Sequence, residues 1–313
     1  VPDFVLIMYI IVASFYQFTP LEQLERLRSH LLRLGQAHHL KGTLILAPEG
    51  LNATLAGTRT AMDEFMAQLR QIPQFQGLER LEYKESQSQT PPFQRFKVRI
   101  KPEIVTFRQE DVNPQETVGT YVEAAEWNQL ISNPDVTVID TRNNFEVEIG
   151  TFKGAKNPQT SSFTEFPDYI QDNLDPEKNP KVAMFCTGGI RCEKATSYLL
   201  KQGFQEVYHL KGGILKYLED IPEAESLWDG DCFVFDERVA VQHGLKRGNY
   251  ELCLGCGHPV SAEERESPYY SWGISCPHCY EHLSDEKRRR REEKVRQLTL
   301  QRQRQAVSNG NET

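Results

Sequence analysis

Seven residues, Cys186-Thr187-Gly188-Gly189-Ile190-Arg191-Cys192, constrain this chain more than any other stretch. They follow the apolar run Val182-Ala183-Met184-Phe185 and precede a segment, Glu193 to Gly203, that reads as helix. A cysteine at the end of a buried strand, then a glycine turn, then a helix start, favours thiolate over thiol. N–H groups of the turn point inward, and the helix N-terminus adds partial positive charge. Two adjacent glycines let the backbone curl around an incoming group without Cβ clashes. The plainer account is a buried structural cysteine, a common fate of a free thiol. The strand–turn–helix context favours the reactive account.

The cradle from Cys186 to Arg191 holds six residues, and in this it resembles the active loop of rhodanese domains, whose cysteine carries a persulfide. Cysteine phosphatases of similar appearance use a loop one residue longer, which makes room for a tetrahedral phosphate. The resemblance extends to Val136-Thr137-Val138-Ile139-Asp140-Thr141-Arg142, similar to a strand ending in Asp-x-Arg. It extends also to Gly150-Thr151-Phe152-Lys153-Gly154-Ala155, with Phe152 where the family usually has Ile, and to Val207 through Ile214, with its Gly-Gly turn. It implies a rhodanese domain at about 118–222.

The chain has 313 residues, so several independent cores are expected. The apolar run from Phe4 to Ala13 is too short to span a bilayer. Asp3 stands where a signal peptide would carry basic residues. A buried strand and no membrane association are therefore expected. Seven cysteines without a secretory signal argue for a reducing, cytoplasmic setting.

Residues 1–105 read as strand (4–13), helix (20–35), strand (41–47), strand (51–57), helix (58–71) and strand (93–101). Apolar spacing such as Leu21, Leu24, Leu27, Leu31 and Leu34 carries the helices. That βαββαβ order predicts a ferredoxin-like or acylphosphatase-like α+β sandwich. A polar linker near 108–119 leads to the central α/β domain, and the whole is an α/β multidomain chain. On strand 93–101, Arg95, Lys97, Arg99 and Lys101 share one face by period two. They make either an RNA-binding surface or a charged, half-exposed strand.

Residues 223–286 read as a Cys-rich, loop-rich module. Cys253-x₂-Cys256 and Cys276-x₂-Cys279 are separated by nineteen residues, a spacing suited to a structural zinc site. Disulfide pairing is the competing account, and a reducing compartment speaks against it. From 287 to 313 the chain is a charged tail, expected to be partly disordered. Lys287 to Arg304 carries a charge of +7, against −8 for the whole chain. Such an arm either attracts RNA or is a solvated, fraying helix.

The order of parts resembles the bacterial tRNA uridine(34) hydroxylase family. The residues that carry this are Gly42 through Thr54, with Ala53 where glycine is usual, Phe185 through Ala195, and the two cysteine pairs. The resemblance implies O₂-dependent conversion of the wobble uridine of tRNA to 5-hydroxyuridine, with tRNA bound through its anticodon loop and O₂ as co-substrate. It implies that Cys186 is the essential cysteine. Arg191 would orient the loop or contact phosphate, and Thr187, Gly188, Gly189, Ile190 and Cys192 would complete the active loop. Asp140 and Arg142 would brace it from the neighbouring strand. Cys192 is either a resolving thiol or simply a buried helix residue. No flavin, haem or iron motif is found in the sequence. A rhodanese-type sulfurtransferase with a persulfide on Cys186 is the alternative.

Overall fold

Period-two apolar side chains and two amphipathic helices build the first layer pair. β1 (Ile10–Phe18), β2 (Lys41–Ala47) and β3 (Gly50–Gly57) pair antiparallel through β3. Ile11, Ala13, Phe15, Leu44, Leu46, Ala53 and Leu55 face α1 (Leu24–Ala37) and α2 (Arg59–Gln71). Those helices bury Leu27, Leu31, Met62, Phe65 and Leu69 in return. The Thr58 hydroxyl accepts the Ala61 N–H and so fixes the start of α2. The sheet order is β4-β1-β3-β2-β5, with β4 at Glu82–Ser88 and β5 at Phe96–Ile100.

The structure, a computed structural model, describes residues 9–75 and 81–310, with side chains described as far as Leu300. Three expectations are corrected. The first strand runs over 10–18 rather than 4–13, residues 4–8 lying outside the described part. The first helix begins at Leu24 rather than at 20, because the Thr19 and Leu21 amides instead donate to the carbonyls of Glu49 and Pro48. The strand at 93–101 is not the fourth but a fifth, shortened to 96–100 and parallel to β2. The fourth place belongs to β4, antiparallel to β1.

The second layer system is a parallel sheet of order β6-β10-β9-β7, formed by Thr120–Val122, Glu206–Leu210, Lys181–Phe185 and Val136–Asp140. One face packs with α3 (Ala124–Ile131) and α7 (Gly213–Asp220) through Trp127, Phe152, Phe185 and Tyr217. The other packs with α5 (Phe166–Asn173) and α6 (Ile190–Lys201) through Phe166, Met184, Cys192 and Leu199. The segment read as a polar linker is pinned to this second face by Phe107 and Val112. The chain does not leave this body at 222. β11 (Trp228–Gly230) pairs antiparallel with β8 (Gly150–Phe152), and Trp228, Cys232 and Val234 fill the first face.

By its packing the chain divides into two compact units, residues 1–237 with 241–246, and residues 238–240 with 247–313. In the second unit a two-stranded ribbon pairs Glu251–Leu252 with Pro259–Val260, and a short helix α8 (Ala262–Arg265) follows. The charged tail expected to be partly disordered is helical, as α9, over Asp285–Gly310. The Arg291 guanidinium anchors it by donating to the carbonyls of Gly255 (2.7 Å) and Ile274 (2.6 Å). Among the described residues no helix is long and apolar enough to cross a membrane.

Candidate active site and metal centre

Cys186 follows the C-terminal end of β9, where parallel α/β sheets bind their ligands. Its loop turns its carbonyls outward. The Cys186 and Thr187 oxygens accept the amides of Ile214 (3.0 Å) and Leu215 (3.1 Å) in the first turn of α7. This close approach needs Gly213, where a Cβ would lie 2.5 Å from the Cys186 oxygen and 2.7 Å from the Gly189 nitrogen. With the carbonyls held away, the Gly189 N–H donates to Cys186 Sγ at 3.1 Å. Burial opposes charge on this sulfur. The neighbouring Cys192 thiol, the Arg191 guanidinium and the amides of Cys192 and Gly189 outweigh it and lower the Cys186 thiol to about 5. Cys192 moves the other way: burial and its bond to Cys186 keep its thiol protonated. Its sulfur also lies 3.6 Å from Thr141 Oγ1.

Sulfur in this cradle should be thiolate at neutral pH. Ultraviolet thiolate absorbance should therefore titrate near pH 5 for Cys186, against about 8.5 for an unperturbed cysteine. Because the folded value is the lower one, the stability this thiolate contributes is fully present above the unfolded value. It is lost as pH falls through about 5.

Arg191 is not open to a substrate. Its guanidinium forms two parallel bonds to Glu146, at 2.7 and 2.8 Å, with a longer one to Thr187 Oγ1 at 3.3 Å. Glu146 is fully buried in α4 (Asn144–Val147) and closes a capping box with Asn143. Burial pushes its carboxyl up, but Arg191 and then Arg142 outweigh this and hold it below the usual carboxylate range. Of the two roles expected for Arg191, orienting the loop fits this geometry. Asp140 and Arg142 form a second buried pair, 2.6 Å at the closest, and Arg142 also donates to the carbonyls of Glu146 (3.2 Å) and Gly150 (2.5 Å). They brace α4, and α4 braces the loop.

Glu146→Ala should lower stability by about 3–5 kcal/mol, because it strands the buried Arg191 cation and removes a cap. Urea unfolding followed by tryptophan fluorescence checks this. Glu146→Gln, which keeps one acceptor, should cost clearly less.

The first body reaches the same loop. Strand pairing puts Lys84 opposite Ser14 and Glu82 opposite Tyr16, on the sheet face away from α1 and α2. From that face the Tyr16 hydroxyl donates to Glu193 at 2.7 Å, and Lys84 Nζ donates to the Gly188 carbonyl at 3.0 Å. Burial raises the Glu193 carboxyl to about 7. Lys194, two residues past Cys192, is buried between the carboxylates of Glu49 (2.9 Å) and Glu103 (2.6 Å). Sequence reasoning missed Glu146, Tyr16, Lys84 and Glu49. Only Glu146 carried a local signal, the Asn143-x-x-Glu146 capping box.

The four cations expected on the 93–101 strand are all exposed, and among the described residues none has an ion-pair partner. Pairing of Lys97 with Thr43 and of Arg99 with Ile45, and of Thr43 through Thr54 and Ser14 to Lys84, puts these two on the sheet face that carries Tyr16 and Lys84, while Arg95 and Lys101 flank the shortened strand rather than lie in it. Four strand spacings of about 4.8 Å, about 19 Å in all, separate the two edges.

In the second unit the sulfur atoms of Cys253, Cys256, Cys276 and Cys279 lie within 4.8 Å of one another, and all four cysteines are free. The Cys256–Cys276 and Cys276–Cys279 sulfurs are 3.7 and 3.9 Å apart. A tetrahedral ion with bonds of about 2.3 Å to sulfur needs edges of about 3.8 Å. The cluster could hold a metal ion.

Residues 10–104 match a family described as the UPF0176 acylphosphatase like domain, and residues 123–220 match the rhodanese-like domain. A solved rhodanese-related protein from Thermoplasma volcanium is 26% identical over 33% of this chain and 95% of its own, with a TM-score of 0.27. A protein of Teredinibacter turnerae named tRNA uridine(34) hydroxylase is 54% identical over 93% of this chain and 89% of its own length. One of the same name from Picosynechococcus is 58% identical, over 92% and 95%. Identity at that level, across both bodies of the first unit and nearly end to end, makes this chain a member of the tRNA uridine(34) hydroxylase family.

Proposed function

We propose that this protein hydroxylates the wobble uridine of tRNA to 5-hydroxyuridine, with Cys186 as the reactive group and O₂ as the oxidant. The relationship over more than nine-tenths of this chain to proteins named for this activity carries the reading. The N–H donor at Cys186 Sγ and the lowered thiol support the choice of atom. In the net reaction one oxygen atom of O₂ enters at C5 and the other leaves as water, with two electrons and two protons from a reductant of the thiol class. The Cys186 thiolate adds to uracil C6, which makes C5 electron-rich toward oxygen. Loss of the C5 proton and expulsion of the thiolate then restore the ring. Arg191, held by Glu146, is a positioning residue, as are Asp140 and Arg142 behind it. Thr187, Gly188, Gly189 and Ile190 form the cradle, and Cys192 donates to the thiolate.

An anticodon loop suits this site because its bases can be splayed out singly. The exposed Arg95, Lys97, Arg99 and Lys101 would hold its phosphates along the far edge of the sheet. The four-cysteine cluster would take Zn²⁺ in a structural role, since four thiolates leave no open position. Acting on tRNA, the protein would work in the cytoplasm.

Nucleoside mass spectrometry of tRNA from cells lacking the protein tests the reading. The 5-hydroxyuridine-derived wobble nucleosides should vanish and return on complementation. If they persist in the deleted strain, or a sulfur modification disappears instead, the hydroxylase reading fails and a sulfurtransferase replaces it.

A further inference from the structure

Lys84 is a buried cation that the reaction scheme leaves unused. Its side chain is 9% exposed on β4 of the first body, with the Glu82 carboxylate 3.7 Å away and the Tyr16 ring 5.8 Å from its ammonium. Removing an ammonium from water is costly, and one ion pair at that distance offsets little of the cost.

Its hydrogen bond at the shortest distance goes to the Gly188 carbonyl, at 3.0 Å. That oxygen belongs to the same peptide group as the Gly189 N–H, which donates to Cys186 Sγ at 3.1 Å. In a trans peptide the two bonds point in opposite directions, so fixing the oxygen fixes the N–H. Glycine on both sides lets this peptide rotate: Gly189 has a φ of 100°, and the amides of Cys192 and Glu193 hold only the carbonyl of the next peptide. The two preceding loop carbonyls, of Cys186 and Thr187, are held outward by α7 amides of their own body. Gly188 is the next in the series, and its partner comes from the other body.

We propose that Lys84 is a positioning residue for Cys186: it pins the Gly188–Gly189 peptide so that the N–H stays aimed at the sulfur. Its charge also polarises that peptide and strengthens the donor. The first body is then more than an RNA-binding platform, because it completes the cradle of the reactive thiolate. The inference rests on Cys186 being the reactive group, not on which reaction it performs. Other groups that act on the thiolate are Arg191, Cys192 and Glu193 of α6 and Tyr16 of β1, with Glu82 beside Lys84. Lys84→Met leaves all of them in place.

The full-length protein is titrated by thiolate absorbance against a Cys186→Ser background, and the Gly189 amide proton is followed by NMR in glycine-labelled protein. In wild type that proton should move downfield as Cys186 ionises. In Lys84→Met the midpoint should rise by about one pH unit, a tenfold change in thiolate stability, and the downfield movement should shrink. An unchanged midpoint overturns the proposal. So does a raised midpoint with the full Gly189 movement, since that would be a plain charge effect. Thermal unfolding of Lys84→Met guards against a general loss of packing. Lys84→Arg, which keeps a cationic donor, should recover most of the Gly189 movement, and failure to do so also counts against it. None of these readouts needs tRNA turnover, so they stand or fall apart from the hydroxylase reading.

Discussion

Cys186→Ser should abolish 5-hydroxyuridine formation, with a fall in single-turnover rate of at least about a thousandfold, or about 4 kcal/mol of barrier. The reason lies in ionisation. The cradle holds Cys186 as thiolate at neutral pH, with the Gly189 amide, the Arg191 guanidinium and the Cys192 thiol all favouring the anion. A serine hydroxyl in the same place stays protonated, and among these neighbours none is a free base. Arg191 is committed to Glu146, and the Cys192 thiol is pushed toward the protonated form. The variant should fold normally, because an oxygen can still accept the Gly189 N–H. Cys192→Ser is the informative companion. A serine there still donates, so a purely supporting role predicts less than about a tenfold loss. A resolving role predicts instead that an oxidised Cys186 accumulates during turnover, visible by mass spectrometry of the intact protein. A Cys186→Ser variant that retains turnover would remove the thiolate from the mechanism.

The loop itself was legible because everything that makes it is contiguous. An apolar strand, two glycines and a helix start occupy some twenty residues, and local rules apply to each. What the sequence hid is what other segments bring to it. The first turn of α6 reads as a solvated run, Arg191-Cys192-Glu193-Lys194, yet all four residues are buried. Each charged side chain finds its partner far away: Arg191 at Glu146, Glu193 at Tyr16, Lys194 at Glu49 and Glu103. Periodicity cannot show such pairs, because it treats a charge as a sign of solvent. β4 was missed for the same reason. Glu82-Tyr83-Lys84-Glu85-Ser86 has no apolar alternation: on the helix side Tyr83 stacks on Phe15, but Glu85, opposite Ala13, is a carboxylate paired with Arg59 of α2. On the opposite face Lys84 reaches the Cys186 loop, with Glu82 beside it. The segment 93–101, by contrast, alternates cleanly and reads as the fourth strand, although it is a fifth on the far edge. The site lay where two local patterns meet, and only one of the two was strong.

Removing the metal should undo the second unit. Four sulfur atoms within 4.8 Å of one another repel when ionised and, when protonated, are held to one another only by weak S–H···S contacts of 3.7–3.9 Å. Among the described residues, the buried apolar cluster around the sulfurs is small: Cys253, Val260 and Cys276, with Tyr270 and Cys279 against it. Three of those five are the candidate ligands themselves, so the cluster and the core are one object. Binding of a structural zinc ion is worth about 10–16 kcal/mol in small modules of this kind, more than such a core could replace. The purified protein should therefore carry about one zinc per chain by elemental analysis. A strong chelator at neutral pH should expose all four thiols to a thiol reagent while the Cys186 cradle stays intact, and Cys253→Ser or Cys276→Ser should do the same without chelator. The α9 helix should loosen in step, because Arg291 docks on carbonyls of Gly255 and Ile274, each within two residues of a candidate ligand. Amide exchange along 285–300 would report it. Slow exchange there and unreactive thiols in metal-free protein would show that the unit folds without the ion, and the cluster would lose its structural role.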